Sequence, residues 1–256
     1  MRIGLRDALE LGVALAFVAA VVVGVHALRN PAVLPVRTVQ VEGELRHVDP
    51  ERLRAAVLEG LRGNFFTVDL ERMEDAVTAL PWVARARVRR EWPLALRVRV
   101  EEEVAVARWG ADALLNRRGQ VFRPERIGDE VTRGLPVLYG PEGHSMRVLA
   151  AWHRLVARLA TVDLRPVALY LDERRSWRAW LAGRTEIVFG RDDFEPRLER
   201  LLRAWPRALA AQAARIERLD LRYTNGLAVR WKPAPTGGEA PAGGVPGPHQ
   251  RRTRDA

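Results

Sequence analysis

Cysteine is absent from the 256 residues. That excludes disulfides, thiolate nucleophiles and Cys-ligated zinc, but it does not fix a compartment, because many exported proteins do without disulfides. Lysine is almost absent as well. Lys232 is the only one, so the net charge of +10 rests on arginine. The arginines are spread along the chain rather than massed in one stripe. That fits a compositional bias as well as a surface for nucleic acid or anionic lipid. Histidine is scarce, and no two of His26, His47, His144, His153 and His249 have metal-ligand spacing. "YGPEG" at 139–143 has neither the length nor the Lys-Ser/Thr of a phosphate-cradling loop. Ser145 and Ser176 have no base nearby in sequence. These absences leave no metal, no cofactor and no catalytic residue to nominate.

One long apolar run is present. "LGVALAFVAAVVVGVHAL" at 11–28 is interrupted only by His26 near its end. A membrane-spanning helix needs about 20 mainly apolar residues. Val25-His26-Ala27 resembles a signal-peptide cleavage site, but the apolar part of such a peptide is about 7 to 15 residues. An uncleaved anchor is the expectation. Arg2 and Arg6 precede it and Arg29 and Arg37 follow, so charge counting barely orients it. A short amino terminus before a large carboxy-terminal part favours a type II anchor. Residues 1–10 would then be cytoplasmic and the bulk of the chain periplasmic.

Residues 36–103 read as strand, helix, helix, strand, strand. "VRTVQVEG" is a short strand. Asp49 caps a helix that has Pro50 at its first position and Leu53, Val57 and Leu61 on one face, with Gly60 and Gly63 weakening and stopping it. Asp69 caps a second helix that carries Leu70, Met73, Val77 and Leu80 and ends at Pro81. "ARARVRREWPLALRVRVEEE" folds back at Glu91-Trp92-Pro93. Its alternation puts Leu94, Leu96, Val98 and Val100 on one face, and Arg85, Arg87, Arg89, Arg97 and Arg99 on the wet one.

Residues 104–232 carry more strands than helices, and neighbouring strands look antiparallel. "PVALYLDE", "SWRAWLAG" and "TEIVFG" are successive strands. "MRVLAAWHRLVARLA" is an amphipathic helix with Leu149, Trp152, Leu155, Val156 and Leu159 inward. A second helix carries Phe194, Leu198, Leu201, Leu202 and Trp205, and Pro206 should interrupt it. Trp152, Trp177, Trp180, Trp205 and Trp231 lie on apolar faces and are expected in the core rather than on a stacking platform. The expected fold class is α+β: one amino-terminal transmembrane helix, a β-α-α-β-β domain, and a mostly antiparallel β domain with packed helices.

"LDLRYTNGLAVRWKP" at 219–233 ends this second domain. Two alternating strands flank Thr224-Asn225-Gly226. A two-residue loop would mix the faces. A three-residue loop with Gly226 left-handed pairs Tyr223 with Leu227, Leu221 with Val229 and Leu219 with Trp231, and keeps the apolar side chains together. Residues 233–256 are rich in Pro and Gly and are expected to be a disordered tail. The last strand therefore has no later segment to pair with. It is either covered by other parts of its own chain or left open for another protein to add a strand.

Several stretches resemble the FtsQ/DivIB family of bacterial cell-division proteins. They are "LPWVARARVRREWPLALRVRVEEEVAVARW" at 80–109, "LPVLYGPEG" at 135–143, "RRSW" at 174–177 and "LDLRYTNGLAVRW" at 219–231. The resemblance runs from the anchor to residue 232 and implies that 36–103 is a POTRA domain. It further implies a non-catalytic scaffold of the division septum in the cell inner membrane, linking early and late division proteins. FtsB and FtsL are the implied partners, with FtsB adding a strand at the last strand of the β domain. The matching positions are Arg175, Arg222, Tyr223, Asn225, Gly226 and Trp231. Arg175 and Arg222 would meet acidic side chains and Tyr223 an apolar or aromatic one. Two other readings stand beside it. One is a different POTRA-bearing envelope assembly or transport protein. The other is a membrane-tethered binder of an anionic polymer; nucleic acid is not expected as a partner.

Overall fold

A computed structural model describes residues 5–30, 32–191 and 194–233. The first helix, α1 (Leu5–Arg29), covers the apolar run. Its described side chains, at 13–24 and 26, are all exposed. Among the described residues no helix is long and apolar enough to cross a membrane. Residues 1–4 of the expected amino-terminal segment (1–10) and residues 234–256 of the expected tail (233–256) lie outside the described residues.

The described residues fall into two units, divided between Glu103 and Val104. In the first, β1 (Thr38–Glu42), α2 (Pro50–Gly60), α3 (Leu70–Thr78), β2 (Val83–Glu91) and β3 (Ala95–Glu102) follow in that order. The helices start where their caps dictate. Asp49 Oδ1 accepts from the amides of Glu51 and Arg52, and Asp69 Oδ1 from Arg72 N. The two helices separate β1 from the hairpin, so β1 returns parallel to β3, while β2 and β3 pair antiparallel around a turn at 92–94. Leu53, Val57, Met73 and Val77 pack on Leu96, Val98 and Val100. Arg85, Arg87, Arg89 and Arg99 are exposed on the opposite face. Gly60 has a role that its low helix propensity hides. A Cβ there would stand 2.8 Å from Met73 Cα, so this glycine is where α2 meets α3. Glu102 closes the unit by accepting from the amides of Arg46, His47 and Val48.

Among the described residues the second unit is built on one sheet of nine strands. They are β4 (Ala105–Trp109), β5 (Ala113–Asn116), β6 (Val121–Phe122), β7 (Val137–Tyr139), β8 (Pro166–Leu171), β9 (Trp177–Leu181), β10 (Glu186–Gly190), β11 (Ile216–Asp220) and β12 (Ala228–Trp231). The spatial order is β12-β11-β10-β9-β8-β7-β4-β5-β6. A short helix, α4 (Asp129–Thr132), precedes β7. The long helices α5 (Ser145–Leu159) and α6 (Phe194–Ala204) bring Leu149, Trp152, Leu155, Leu159, Leu198 and Leu201 into one core with Leu138, Leu169, Leu171, Ala179, Ile187 and Phe189. After α6 the backbone continues as a π-helical turn over Trp205–Leu209, with Pro206 at its start. Pro206 has no amide hydrogen for the α-helical bond.

Four expectations need correction. The sheet is mostly antiparallel, as expected, but not throughout: among the described strands β4–β7, β7–β8 and β10–β11 are parallel. In the last two pairs a helix carries the chain back in the same direction. β7 was not anticipated, because three residues are too few for alternation to show. Val156 lies on the exposed side of α5, while Val148 and Ala151 are buried in its place. Trp152, Trp177 and Trp205 are buried, but Trp180 is half-buried and Trp231 is exposed.

Candidate functional site

The terminal hairpin differs from the expected one by two residues. Leu219 pairs with Val229 rather than Trp231, Asp220 with Ala228, and Ile216 with Trp231, with an irregularity between Ile216 and Arg218. A two-residue slip keeps every side chain on its face, so alternation could not distinguish the two registers. The connection is therefore longer. β11 stops pairing with β12 at Asp220, and Leu221 donates instead to Val188 O on β10. Gly226 is not among the left-handed glycines. Arg200 on α6 holds the loop, its guanidinium donating to Tyr223 O (2.6 Å) and Gly226 O (3.3 Å). Arg200 was invisible to sequence reasoning, because its partners are backbone carbonyls 23 and 26 residues away.

β12 is the border of the sheet, and β11 is its one strand neighbour among the described residues. The hydrogen-bonding direction of each residue follows from two observations. Lys232 N donates to Arg215 O, so on β12 the even-numbered residues face β11. Leu221 N faces β10, so on β11 the odd-numbered residues turn away from β12. Both assign the same ladder, which leaves the N–H and C=O groups of Val229 and Trp231 pointing away from the sheet. The far end of the strand is fixed by Lys232 Nζ, which donates to Gly183 O and Ala214 O.

The six nominated residues divide between the two ends of this strand. Arg175 occupies the β8–β9 turn with φ +62, beside Trp177, which pairs with Gly190 at the end of β10. A Cβ on Gly190 would lie 3.0 Å from Arg222 Cγ. Arg175, Gly190 and Arg222 thus share one end of the sheet, with β9 and β11 roughly 10 Å apart. Tyr223, Asn225 and Gly226 continue from that end, and Tyr223 is 59% exposed. Trp231 stands at the other end, 39% exposed, with the Arg215 guanidinium 5.9 Å from its ring centroid.

Arg222 is not a vacant cation. Its Nε and Nη2 donate to both oxygens of Asp220, at 2.9 Å and 2.6 Å for the shortest contacts. The side-chain hydrogen bond from Arg222 holds the Asp220 carboxyl below its ordinary value, and in return raises the guanidinium. A carboxylate from another molecule would therefore join a guanidinium already fixed in direction. Asp220 is the second residue that sequence reasoning missed, although its i, i+2 spacing from Arg222 on a strand edge was visible.

Among the described residues no group of histidines and carboxylates could hold a metal ion. Ser145 Oγ donates to Gly119 O at 2.6 Å, and Ser176 N donates to Asp172 Oδ1.

Comparison with known proteins accounts for both units. Residues 34–103 match the POTRA domain of FtsQ type, and residues 107–222 match the carboxy-terminal region of cell division protein FtsQ/DivIB. The second match ends at Arg222, so Tyr223 and β12 lie beyond it. A cell division protein FtsQ of Coxiella burnetii is 33% identical over 218 residues, covering 85% of this chain and 88% of that protein. Those of Xanthomonas campestris and Thioalkalivibrio are 40% and 38% identical, over 76% and 77% of this chain and 69% and 81% of theirs. The chain belongs to the FtsQ/DivIB family of bacterial cell-division proteins.

Proposed function

We propose that this protein is a non-catalytic, membrane-anchored scaffold of the divisome that captures the FtsB–FtsL pair by strand addition along β12. The observation that carries the reading is the outward direction of the Val229 and Trp231 backbone groups on the border strand. Backbone pairing there would supply affinity. Tyr223 and the Asp220-held Arg222 at one end, with Trp231 at the other, would supply specificity. An extended segment of four residues spans the strand, about 10 Å. Arg175 sits two strands inward from β11 and would reach a partner that continues past the end of β12.

The anchor is α1. Its length of 25 residues and the exposure of Val13, Leu15, Phe17, Val18, Val21, Val22 and Val23 all around the helix support insertion in a bilayer. A type II orientation places both domains in the periplasm, at the septum.

The test is capture of purified FtsB–FtsL by the full chain carrying Arg222→Glu and Tyr223→Ala. Binding should be lost while the thermal unfolding midpoint stays near that of the parent, because both side chains are exposed. Equal capture by parent and variant would place the docking site elsewhere.

A further inference from the structure

Two large apolar side chains stand in water at one end of the POTRA domain. Trp92 is 74% exposed and Phe66 51%. They come from different segments, the β2–β3 turn and the loop before α3, and meet over the buried Phe65. The ring centroids lie 6.2 Å apart for Phe65–Trp92 and 5.2 Å for Phe65–Phe66. Neither segment is loose. Arg90 Nε donates to Phe65 O at 2.7 Å, and its Nη2 to the carbonyls of Phe66 and Val68. Asn64, fully buried, accepts from the amides of Phe66 and Thr67. The loop is held from both sides in a shape that keeps Phe66 outward.

The same loop is tied to the end of the first helix. Asn64 Nδ2 donates to the carbonyl of Asn30, the residue after α1, at 3.1 Å. Phe65 N donates to Leu34 O, and Arg37 N to Leu94 O beside Trp92. Asn30 makes the turn itself: Ala32 N donates to its side chain and Val33 N to its carbonyl. Phe66 follows Asn64 by two residues, no more than about 7 Å of chain. The exposed rings are therefore placed beside the point where the apolar helix ends.

We propose that Phe66 and Trp92 dip into the headgroup layer of the bilayer that holds α1, fixing the POTRA domain against the membrane surface. The inference rests on the reading of α1 as an anchor. Tryptophan and other amphipathic aromatics favour the interfacial layer, where an apolar ring and a polar edge are both satisfied. Arg37, Arg62 and Arg89, all exposed and close to these segments in sequence, supply the cations that anionic headgroups attract. A protein partner for the same rings would need no link to the helix end, whereas the Asn30–Asn64 and Leu34–Phe65 hydrogen bonds set the tip beside it.

The absence of cysteine permits a direct test. Single cysteines replace Phe66, Trp92, Val18 or Glu101 in the full chain, each carrying an environment-sensitive fluorophore, in nanodiscs of phosphatidylcholine with phosphatidylglycerol. Glu101 is exposed at the other end of β3, about 20 Å from the turn. The labels at 66 and 92 should be blue-shifted, and quenched several-fold more strongly by lipid labelled near the headgroup than the label at 101. The label at 18 should be quenched by lipid labelled deep in the acyl chain. Deep quenching at 18 with water-like emission at 66 and 92 overturns the inference, leaves the anchor standing, and points to a protein contact for the rings. Absence of deep quenching at 18 overturns both.

Discussion

Asp220 and Arg222 show how an exposed side chain can be held by a half-buried one before any partner arrives. Two residues apart at the end of β11, they make a bidentate pair that fixes the guanidinium. Such a pair contributes about 0.2–1 kcal/mol at a surface, so its value lies in direction rather than stability. The hydrogen bonds from Arg222 depress the Asp220 carboxyl in the folded state. The stabilisation is therefore complete above the ordinary aspartate value of 3.8 and is lost as pH falls through the lower folded value. Carboxyl-carbon NMR should show Asp220 titrating below the ordinary aspartate value of 3.8. In Asp220→Asn that titration should vanish and Arg222 Nε should lose its protection from exchange.

Elements meet through backbone as much as through side chains. α2 touches α3 where Gly60 leaves room for Met73, and a methyl group placed 2.8 Å from Met73 Cα has nowhere to go. Gly60→Ala should destabilise the POTRA domain by about 1–3 kcal/mol in chemical denaturation, despite alanine's better helix propensity. On β12 the alternation of hydrogen-bonding direction separates two substitutions one residue apart. Val229→Pro removes an amide that points away from the sheet, a position where edge strands tolerate proline. It should retain a cooperative unfolding transition and lose partner capture. Arg230→Pro removes an amide that faces β11 and should lower the unfolding midpoint as well. Equal behaviour of the two in both assays would contradict the assigned ladder.

The parts of the molecule were unequally legible in the sequence. The capped helices of the POTRA domain were plain, because Asp49, Pro50 and Asp69 act within the first turn of their own helices. The terminal hairpin was legible as a pair of strands but not in register, since a slip of two leaves the pattern of Leu219, Leu221 and Val229 unchanged. Trp231 was misjudged because alternation assigns a face and says nothing of how far the covering core extends towards an edge. Arg200 and the Asn64–Asn30 link were beyond reach, since both join side chains to carbonyls distant in sequence. The edge itself was inferred from the Pro- and Gly-rich stretch after Lys232, and the strand order places β12 at the border. Amide hydrogen exchange at Val229 and Trp231 tests its use most directly. Both amides should exchange rapidly in the free protein and become protected when FtsB–FtsL binds, while the inward amide of Arg230 is protected throughout. Protection of Val229 and Trp231 already in the free protein, or rapid exchange in the complex, would contradict strand addition at this edge.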